Sequence, residues 1–543
     1  MRGADLVAET LARAGTKVIF TLSGNQIMPI FDACIDQGIQ LVHVRHEAAA
    51  VYMADAWAQL TGQVGVALLT AAPGFTNGLA PLYSARQSES PILLISGDSP
   101  VGQDGSGAFQ ELDQAAISRP LTKLARRTLR ADRLGHDVAE ALRVARSGRP
   151  GPVHLAIPFD VVNETVSPDA IPAADACARD LAPLDPAIAK DIAKALASAE
   201  RPVVLTGPMM NATRASAMLS ALADGIDAPV VPMESPRGLR DPSLGAFVEV
   251  LSKADLVLCL GKIVDFTVGF GRPPGFAADS RIIVLDPEAD AIARARRLFG
   301  ARLMMAARAD VDLAAGALCE ATGGSRARAA WRAEVAEAIA YRDLPPSGVA
   351  GISPQDICKA AQALLDQAEE PILIADGGEF GQWAQAFVTA PKRIINGMSG
   401  AIGGGLCYAI AAKLAHPKAT VVALMGDGTA GFHFSEFDTA IRADAPFLAI
   451  IGNDSRWNAE HVIQMREYGE DRLIGCQLNP AARYDLAAAG FGCHGEMVEA
   501  PEGLDGALAR AAASDLPACI NVRMEGLPAP VFTRTGIVAA SGH

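Results

Sequence analysis

Residues 420–457 read TVVALMGDGTAGFHFSEFDTAIRADAPFLAIIGNDSRW, and this stretch indicates how the chain folds. A buried apolar run predicts a strand that leads into the motif GDGT at 426–429. A helical segment follows, and a second apolar run ends just before Asp454. The order strand, helix, strand predicts a parallel βαβ unit. Because ligands gather at the carboxyl ends of parallel strands, we expect Asp427 and Asp454 to lie near one point.

The paired carboxylates and the glycine-rich turn have two interpretations. In the first, Asp427 and Asp454 bind Mg²⁺ through hard oxygen ligands, and the backbone N–H groups of Gly428 and Thr429 contact phosphate oxygens. In the second, Gly-Asp-Gly is an ordinary turn and the Asn-Asp pair caps a helix. The spacing alone leaves both interpretations open.

Short apolar runs alternate with helical stretches along the whole chain, which predicts α/β domains with parallel sheets. Two linker-like stretches, at 166–186 and 343–353, divide these runs into three blocks. We therefore predict three doubly wound parallel-sheet domains, at 1–165, 187–335 and 354–530. The predicted strands are 17–22, 40–44, 63–70, 91–96, 152–157, 202–206, 256–260, 281–285, 371–374, 420–425, 447–452 and 518–522.

Composition and charge exclude several classes of protein. Hydrophobic residues make up 50% and charged residues 20%, so the chain can bury a core and is not globally disordered. The formal net charge of -14, without basic clusters, argues against a nucleic-acid partner. No apolar run is long enough for a membrane span, and the N-terminus lacks a signal-peptide pattern. The nine cysteines are widely spaced without C-x-x-C, which predicts a reducing, cytoplasmic location.

Motifs along nearly the whole chain resemble those of thiamin diphosphate enzymes. Gly-Asp-Gly followed about two dozen residues later by Asn-Asp is similar to that family's signature. Matching segments are RHEAAA at 45–50, TAAPGFTN at 70–77, GAFQ at 107–110, GEFGQW at 378–383 and SGAIG at 399–403. Benzaldehyde lyase and acetolactate synthase are the nearest types, and DFTVGFGRPPGF at 265–276 is faintly similar to 2-hydroxyacyl-CoA lyases.

This resemblance implies an architecture and a set of cofactors. It implies a pyrimidine-binding domain, a central domain and a diphosphate-binding domain, with thiamin diphosphate and Mg²⁺ bound between two subunits. Glu47 would come from one subunit and Asp427 from the other, so a homodimer is the minimum and a homotetramer is expected. The segment 234–239 does not look like a flavin-contacting loop, so FAD is not expected. A small-molecule substrate is expected.

The resemblance also assigns roles to residues of the cofactor site. Glu47 would promote the imino form of the cofactor, and Ile402 would force its bent shape. From the residues alone, Glu47 could equally be a surface glutamate at the start of a helix, and Ile402 could be an ordinary residue of the hydrophobic core. Mg²⁺ would be bound by Asp427, by Asp454 where the family usually has Asn, and by the carbonyl of Arg456. The implied cofactor-binding residues are Glu47, Pro73, Gly378, Glu379, Gly400, Ile402, Gly426, Asp427, Gly428, Thr429, Asp454, Arg456 and Ala459.

Substrate residues follow from the same resemblance. Gln110 matches a glutamine that faces the reaction centre, and Gln26 lies on the opposite loop, where this chain lacks the relatives' histidines. These two residues and Glu47 are the predicted catalytic residues. His46 and His433 are interpreted as structural. The predicted substrate pocket consists of Asn25, Gln26, Phe109, Gln110 and Trp457.

Three functions fit these observations. The first is a lyase or carboligase that acts on 2-hydroxy ketones or 2-oxo acids. The second is a 2-hydroxyacyl-CoA lyase that releases an aldehyde and formyl-CoA, with Lys262, Arg272 or Arg237 meeting CoA phosphates. The third is a non-catalytic homologue that keeps only the fold, against which the intact Glu47 and Asp427 argue.

Overall fold

Three separate parallel sheets organise the chain, as the alternating apolar runs predict. The computed structural model describes residues 1–321, 328–345 and 348–537. All strand pairs within the three sheets are parallel. Residues 322–327 of the predicted central domain, 187–335, lie outside the described residues. So do residues 346–347 of the predicted linker-like stretch, 343–353.

The first sheet has six strands in the order β2-β1-β3-β4-β6-β5. Its strands are β1 (Val18–Thr21), β2 (Gln40–His43), β3 (Gly65–Leu69), β4 (Ile92–Asp98), β5 (Leu124–Arg127) and β6 (Val153–Pro158). Helices cover both faces of this sheet. Neighbouring residues of β1 show this, since Phe20 belongs to one core cluster and Ile19 to another. The helices are α1 (Gly3–Arg13), α2 (Met28–Asp36), α3 (Glu47–Thr61), α4 (Pro73–Asn77), α5 (Leu79–Gln87), α6 (Gln114–Ser118), α7 (Leu134–Arg146) and α8 (Phe159–Asn163).

The central sheet has five strands in the order β11-β10-β9-β7-β8. Its strands are β7 (Pro202–Thr206), β8 (Val230–Pro232), β9 (Leu256–Leu260), β10 (Arg281–Asp286) and β11 (Leu303–Arg308). Val203 and Val204 of β7 point into two different core clusters, so this sheet is also covered on both faces. The helices are α9 (Pro186–Ser198), α10 (Ala212–Gly225), α11 (Phe247–Leu251), α12 (Ala289–Phe299), α13 (Val311–Ala321) and α14 (Ala329–Ala340).

The third sheet repeats the topology of the first, with six strands in the order β13-β12-β14-β15-β17-β16. Its strands are β12 (Pro371–Ala375), β13 (Lys392–Ile395), β14 (Thr420–Gly426), β15 (Leu448–Asn453), β16 (His494–Val498) and β17 (Ala518–Arg523). The helices are α15 (Pro354–Leu365), α16 (Gly378–Phe387), α17 (Gly405–Ala415), α18 (Asp427–Ala430), α19 (Glu436–Arg442), α20 (Asn458–Tyr468), α21 (Tyr484–Ala489) and α22 (Leu504–Ala512).

Helices α3 and α17 join the first and third domains into one core. Both are apolar around most of their circumference, which is typical of helices that are buried on every side. Their alanines and the pair Tyr52–Tyr408, whose rings meet edge to face at 5.5 Å, belong to a single cluster that spans both sheets. The first residue of α3 is Glu47, so this packing determines where that carboxylate lies.

Each of the twelve predicted strands overlaps an observed one, and five further strands were not predicted. The additional strands β5, β8, β11, β13 and β16 all lie at a sheet edge. None of the helices in the described ranges has the length and apolar character needed to cross a bilayer. All nine cysteines are free thiols.

Candidate active site

Asp427 and Asp454 lie at the carboxyl ends of neighbouring strands. Strands β14 and β15 pair in parallel with Gly426 opposite Gly452, so the residues that follow the two strands emerge side by side. Both aspartates line one cavity of about 400 Å³ between the third and central domains. The structure therefore brings these two carboxylates together, as expected from their positions after the strands.

The environment of the two carboxylates suits a bound cation. Burial, together with repulsion from Asp454, raises the pKa of Asp427 to about 7. Burial raises the pKa of Asp454 to about 6, against the opposing effect of Arg456. A divalent cation between the two groups would relieve this repulsion. The described residues contain no cluster of three or more His, Cys, Asp or Glu side chains that could bind a metal ion. Further ligands would therefore be backbone carbonyl or phosphate oxygens.

The rest of the cavity offers backbone groups suited to a diphosphate. Helices α16 and α20 both begin at the cavity wall and present the positive ends of their dipoles to it. Gly378, the first residue of α16, has a positive φ of 70° that an L side chain would disfavour. Glu379 follows it on the cavity wall, and its carboxylate accepts a hydrogen bond from the backbone N–H of Ala529. The other predicted cofactor residues on this wall are Gly400, Ile402, Gly426, Gly428, Thr429, Arg456 and Ala459.

Two close approaches shape the cavity. A Cβ atom added to Gly377 would lie 2.2 Å from Cγ2 of Ile402, and one added to Gly428 would lie 2.6 Å from the ring of Trp457. The loop that carries Ile402 is fixed by Asp376, whose buried carboxylate accepts hydrogen bonds from the backbone N–H of Gly403 at 2.9 Å. Sequence reasoning assigned no role to Asp376. Its position directly after a buried strand could have indicated a role at the site, because ligands gather at the carboxyl ends of parallel strands.

Filling the space beside Ile402 should weaken cofactor binding. Gly377→Ala forces Ile402 to move. If Ile402 contacts the cofactor, as the resemblance implies, we expect an affinity for thiamin diphosphate roughly tenfold lower, about 1.4 kcal/mol. Isothermal titration calorimetry with Mg²⁺ present measures the loss. Gly316→Ala is the matched control, because nothing lies within 4 Å of a Cβ at that helical position. Equal affinities in both variants would contradict the assignment of Ile402 to the cofactor wall.

A second group of predicted residues, which includes Glu47, lies in the first domain. The carboxylate of Glu47 accepts a hydrogen bond from Nδ2 of Asn77 at 2.9 Å. Nε2 of Gln26 donates to Oε1 of Gln110 at 2.6 Å, and the hydroxyl of Thr70 donates to Gln26 at 2.5 Å. The structure thus joins the two predicted glutamines directly. Thr70 and Asn77 are the first and last residues of the motif at 70–77, and the resemblance implies no role for either.

The two groups do not line the same cavity within one chain. The cavity that contains Asp427 is not lined by Glu47, Pro73 or any of Asn25, Gln26, Phe109 and Gln110. Trp457 is the one predicted substrate-pocket residue on its wall, and Phe109 is 76% exposed. The predicted catalytic and cofactor residues therefore form two groups, one in the first domain and one on the cavity between the central and third domains.

One predicted phosphate contact does not fit the structure. Lys262 is buried, and its ammonium donates to the hydroxyl of Thr267 at 2.7 Å and to the carbonyl of Ile263 at 3.1 Å. Because the ammonium group is buried and hydrogen-bonded within the central domain, it is not available to a CoA phosphate. Arg237, by contrast, is exposed and lines the cavity.

Comparisons with known sequences agree with this arrangement of domains. Residues 1–117 match the thiamine pyrophosphate enzyme N-terminal TPP binding domain, residues 189–318 the central domain, and residues 376–522 the C-terminal TPP binding domain. The chain belongs to the family of thiamine pyrophosphate (thiamin diphosphate) enzymes, and this cofactor is the one that its two outer domains bind.

Relatives of two kinds align along almost the whole chain. The acetolactate synthase large subunit of Mycobacterium tuberculosis is 33% identical over 539 residues, which covers 96% of this chain and 95% of that protein. The 2-hydroxyacyl-CoA lyase 2 of Danio rerio is 30% identical and covers 91% of this chain and 86% of its own length. The human 2-hydroxyacyl-CoA lyase 2 is also 30% identical, with 91% and 85% covered.

Proposed function

We propose that this protein is a thiamin diphosphate- and Mg²⁺-dependent lyase or carboligase that makes or breaks a carbon–carbon bond in 2-hydroxy ketones or 2-oxo acids. The observation that carries the proposal is the pair Asp427 and Asp454 at the end of neighbouring strands, in a cavity whose wall includes Ile402. The match to both kinds of relatives supports the same reaction class.

In this proposal the residues bind and orient the cofactor, which supplies a carbanion at C2 of its thiazolium ring when bound. Asp427, Asp454 and the carbonyl of Arg456 hold Mg²⁺ against the diphosphate. Ile402 would support the cofactor from the cavity wall and so help to bring its reacting groups together. Glu47 holds or shares a proton at the pyrimidine ring.

The side chains of Gln110 and Gln26 orient the substrate carbonyl. Their mutual hydrogen bond of 2.6 Å fixes both amides, and an amide N–H aimed at a developing alkoxide stabilises it. Neither amide titrates near neutral pH, so these residues position and stabilise but do not transfer protons.

We also propose that the active site forms between two subunits, so the protein is at least a homodimer and is expected to be a homotetramer. The separation of Glu47 from the Asp427 cavity within one chain supports this arrangement. Mixing the variants Glu47→Gln and Asp427→Asn should restore activity, because one site of each mixed dimer then has both wild-type residues. A random mixture would regain about a quarter of the wild-type sites. No restoration after subunit exchange would contradict the shared site.

Product assays decide between the two reaction types. We expect acetolactate from pyruvate if the protein is a carboligase of the synthase type. Release of an aldehyde from a 2-hydroxyacyl-CoA would support the lyase alternative, for which the exposed Arg237 on the cavity wall is the specific observation. Failure with both substrates, combined with no C2 proton exchange of bound thiamin diphosphate, would favour a non-catalytic homologue and overturn the proposal.

Two further expectations belong to this proposal. The purified protein should carry Mg²⁺ with its cofactor and show no flavin absorbance. A reducing, cytoplasmic location remains a prediction from the cysteine pattern, and the nine free thiols are consistent with it.

A further inference from the structure

A buried carboxylate of the third domain contacts the chain just before Glu47. Glu436, the first residue of α19, is 0% exposed. Its Oε1 accepts hydrogen bonds from the backbone N–H groups of Arg45 and His46, each at 3.1 Å. Its Oε2 accepts a hydrogen bond at 2.6 Å from the hydroxyl of Thr439, and the N–H of Arg45 is shared with this oxygen at 3.2 Å. Glu436 therefore joins two domains through main-chain groups of the first domain rather than through its side chains.

The contacted segment is where α3 begins. His46 is the N-cap residue, and its Nδ1 accepts a hydrogen bond from the backbone N–H of Ala48 at 3.1 Å. Glu47 is the next residue and the first of the helix. The peptide groups on the N-terminal side of Glu47 are thus held by Glu436, while the helix holds the C-terminal side. Hydrogen bonds to a charged acceptor are worth about 1.5–3 kcal/mol each, enough to determine the position of a helix end.

We propose that Glu436 is a positioning residue for Glu47: its carboxylate fixes the start of α3 so that the Glu47 side chain reaches the cofactor in a productive orientation. The inference rests on the proposed catalytic role of Glu47. A displacement of about 1 Å at a reacting group costs around 100-fold in rate, so loss of these bonds should be visible in catalysis. In the proposed dimer, the diphosphate-binding domain of one site would position the carboxylate of the other.

Two substitutions of Glu436 separate positioning from other roles. Glu436→Gln keeps an oxygen that accepts from Arg45 and His46, and its amide donates to the hydroxyl of Thr439. Glu436→Asp keeps the charge but is shorter by about 1.5 Å, which places the backbone N–H groups beyond hydrogen-bond distance. If Glu436 acts by accepting these bonds, the Gln variant is rescued and the Asp variant is not.

Glu249 provides a control elsewhere in the molecule. It is also buried, and its Oε1 accepts hydrogen bonds from the hydroxyl of Thr533 and the backbone N–H groups of Arg534 and Thr535. Glu249→Asp removes the same kinds of bond between the central domain and the C-terminal segment. This variant shows how far the measured rates change when a buried carboxylate elsewhere in the molecule loses its hydrogen bonds between two segments.

Two readouts are measured on each full-length variant. Amide hydrogen exchange of the cofactor-free protein, followed by mass spectrometry over residues 43–50, reports whether the start of α3 is held. The rate of C2 proton exchange of bound thiamin diphosphate reports whether Glu47 is productively placed. We expect Glu436→Asp to exchange the amides of 45–46 about tenfold faster and to lower C2 exchange about 100-fold. Glu436→Gln should stay within about threefold of wild type in both readouts, and Glu249→Asp should change neither.

The outcomes distinguish this inference from the proposed function. Faster amide exchange in Glu436→Asp with wild-type C2 exchange would overturn the positioning role while the proposed function stands. Equal losses of C2 exchange in the Asp and Gln variants would also overturn it, because a neutral side chain that keeps the hydrogen-bond acceptor would then rescue nothing. Absence of C2 exchange in the wild-type protein would refute the proposed function instead, and the amide readout would still test the contact itself.

Discussion

Glu47→Gln should lower the rate of C2 proton exchange of bound thiamin diphosphate by about 1,000-fold, within the range typical for loss of a general acid or base. The substitution keeps the size and shape of the side chain at the start of α3. The amide oxygen of the introduced glutamine can still accept the hydrogen bond from Asn77, so the local packing should survive. What disappears is a carboxyl group, which can exchange a proton with the cofactor, whereas an amide cannot.

The measurement is acid-quench NMR of the holoenzyme after transfer into deuterated water. Cofactor affinity should stay within about threefold of wild type, because only the protonation chemistry is lost. Glu140→Gln is the control, since Glu140 lies in the same domain and pairs with Arg126 at 2.7 Å on the surface. Unchanged C2 exchange in Glu47→Gln would refute the assigned role, and an equal loss in the control would show that the effect is not specific.

The fold could be predicted from the sequence where strands are buried on both faces. The central strands of each sheet are continuous apolar runs, because helices cover both sides of them. Edge strands give a weaker signal. Strand β5, LARR, and strand β11, LMMAAR, contain half-buried and exposed positions with arginines, so they do not read as apolar runs. All five missed strands lie at such edges.

The candidate site could be predicted where one short segment contains both the residues and the strands that place them. Asp427 and Asp454 follow neighbouring strands of a single βαβ unit, so their convergence follows from the geometry of parallel sheets. Ile402 and Gly400 came from resemblance rather than from their chemistry. Glu436 was not predicted, because its contact with Arg45 joins residues 391 positions apart and involves the backbone of Arg45. Because a backbone N–H group is present in every residue except proline, the residue types in the sequence do not indicate this contact.

Asp427→Asn should weaken binding of the Mg²⁺–thiamin diphosphate complex by about 1,000-fold, since removing one partner of a buried charge pair costs about 3–5 kcal/mol. Asp427 is 2% exposed at the end of β14, where a bound cation would compensate its desolvated charge. Asparagine has nearly the same volume, so the cavity should keep its shape. Calorimetric titration of the cofactor-free variant at fixed Mg²⁺ measures affinity without requiring turnover.

Asp454→Asn is the matched comparison and should cost far less, within about tenfold of wild type. The amide keeps an oxygen that can serve as a metal ligand, and the change removes one of the influences that raise the pKa of Asp427. Reduced repulsion should therefore offset much of the lost attraction. An equal loss in both variants would mean that the second carboxylate is needed as a charge. An unchanged affinity in Asp427→Asn would contradict the metal site itself, because no other described carboxylate follows β14 into the cavity.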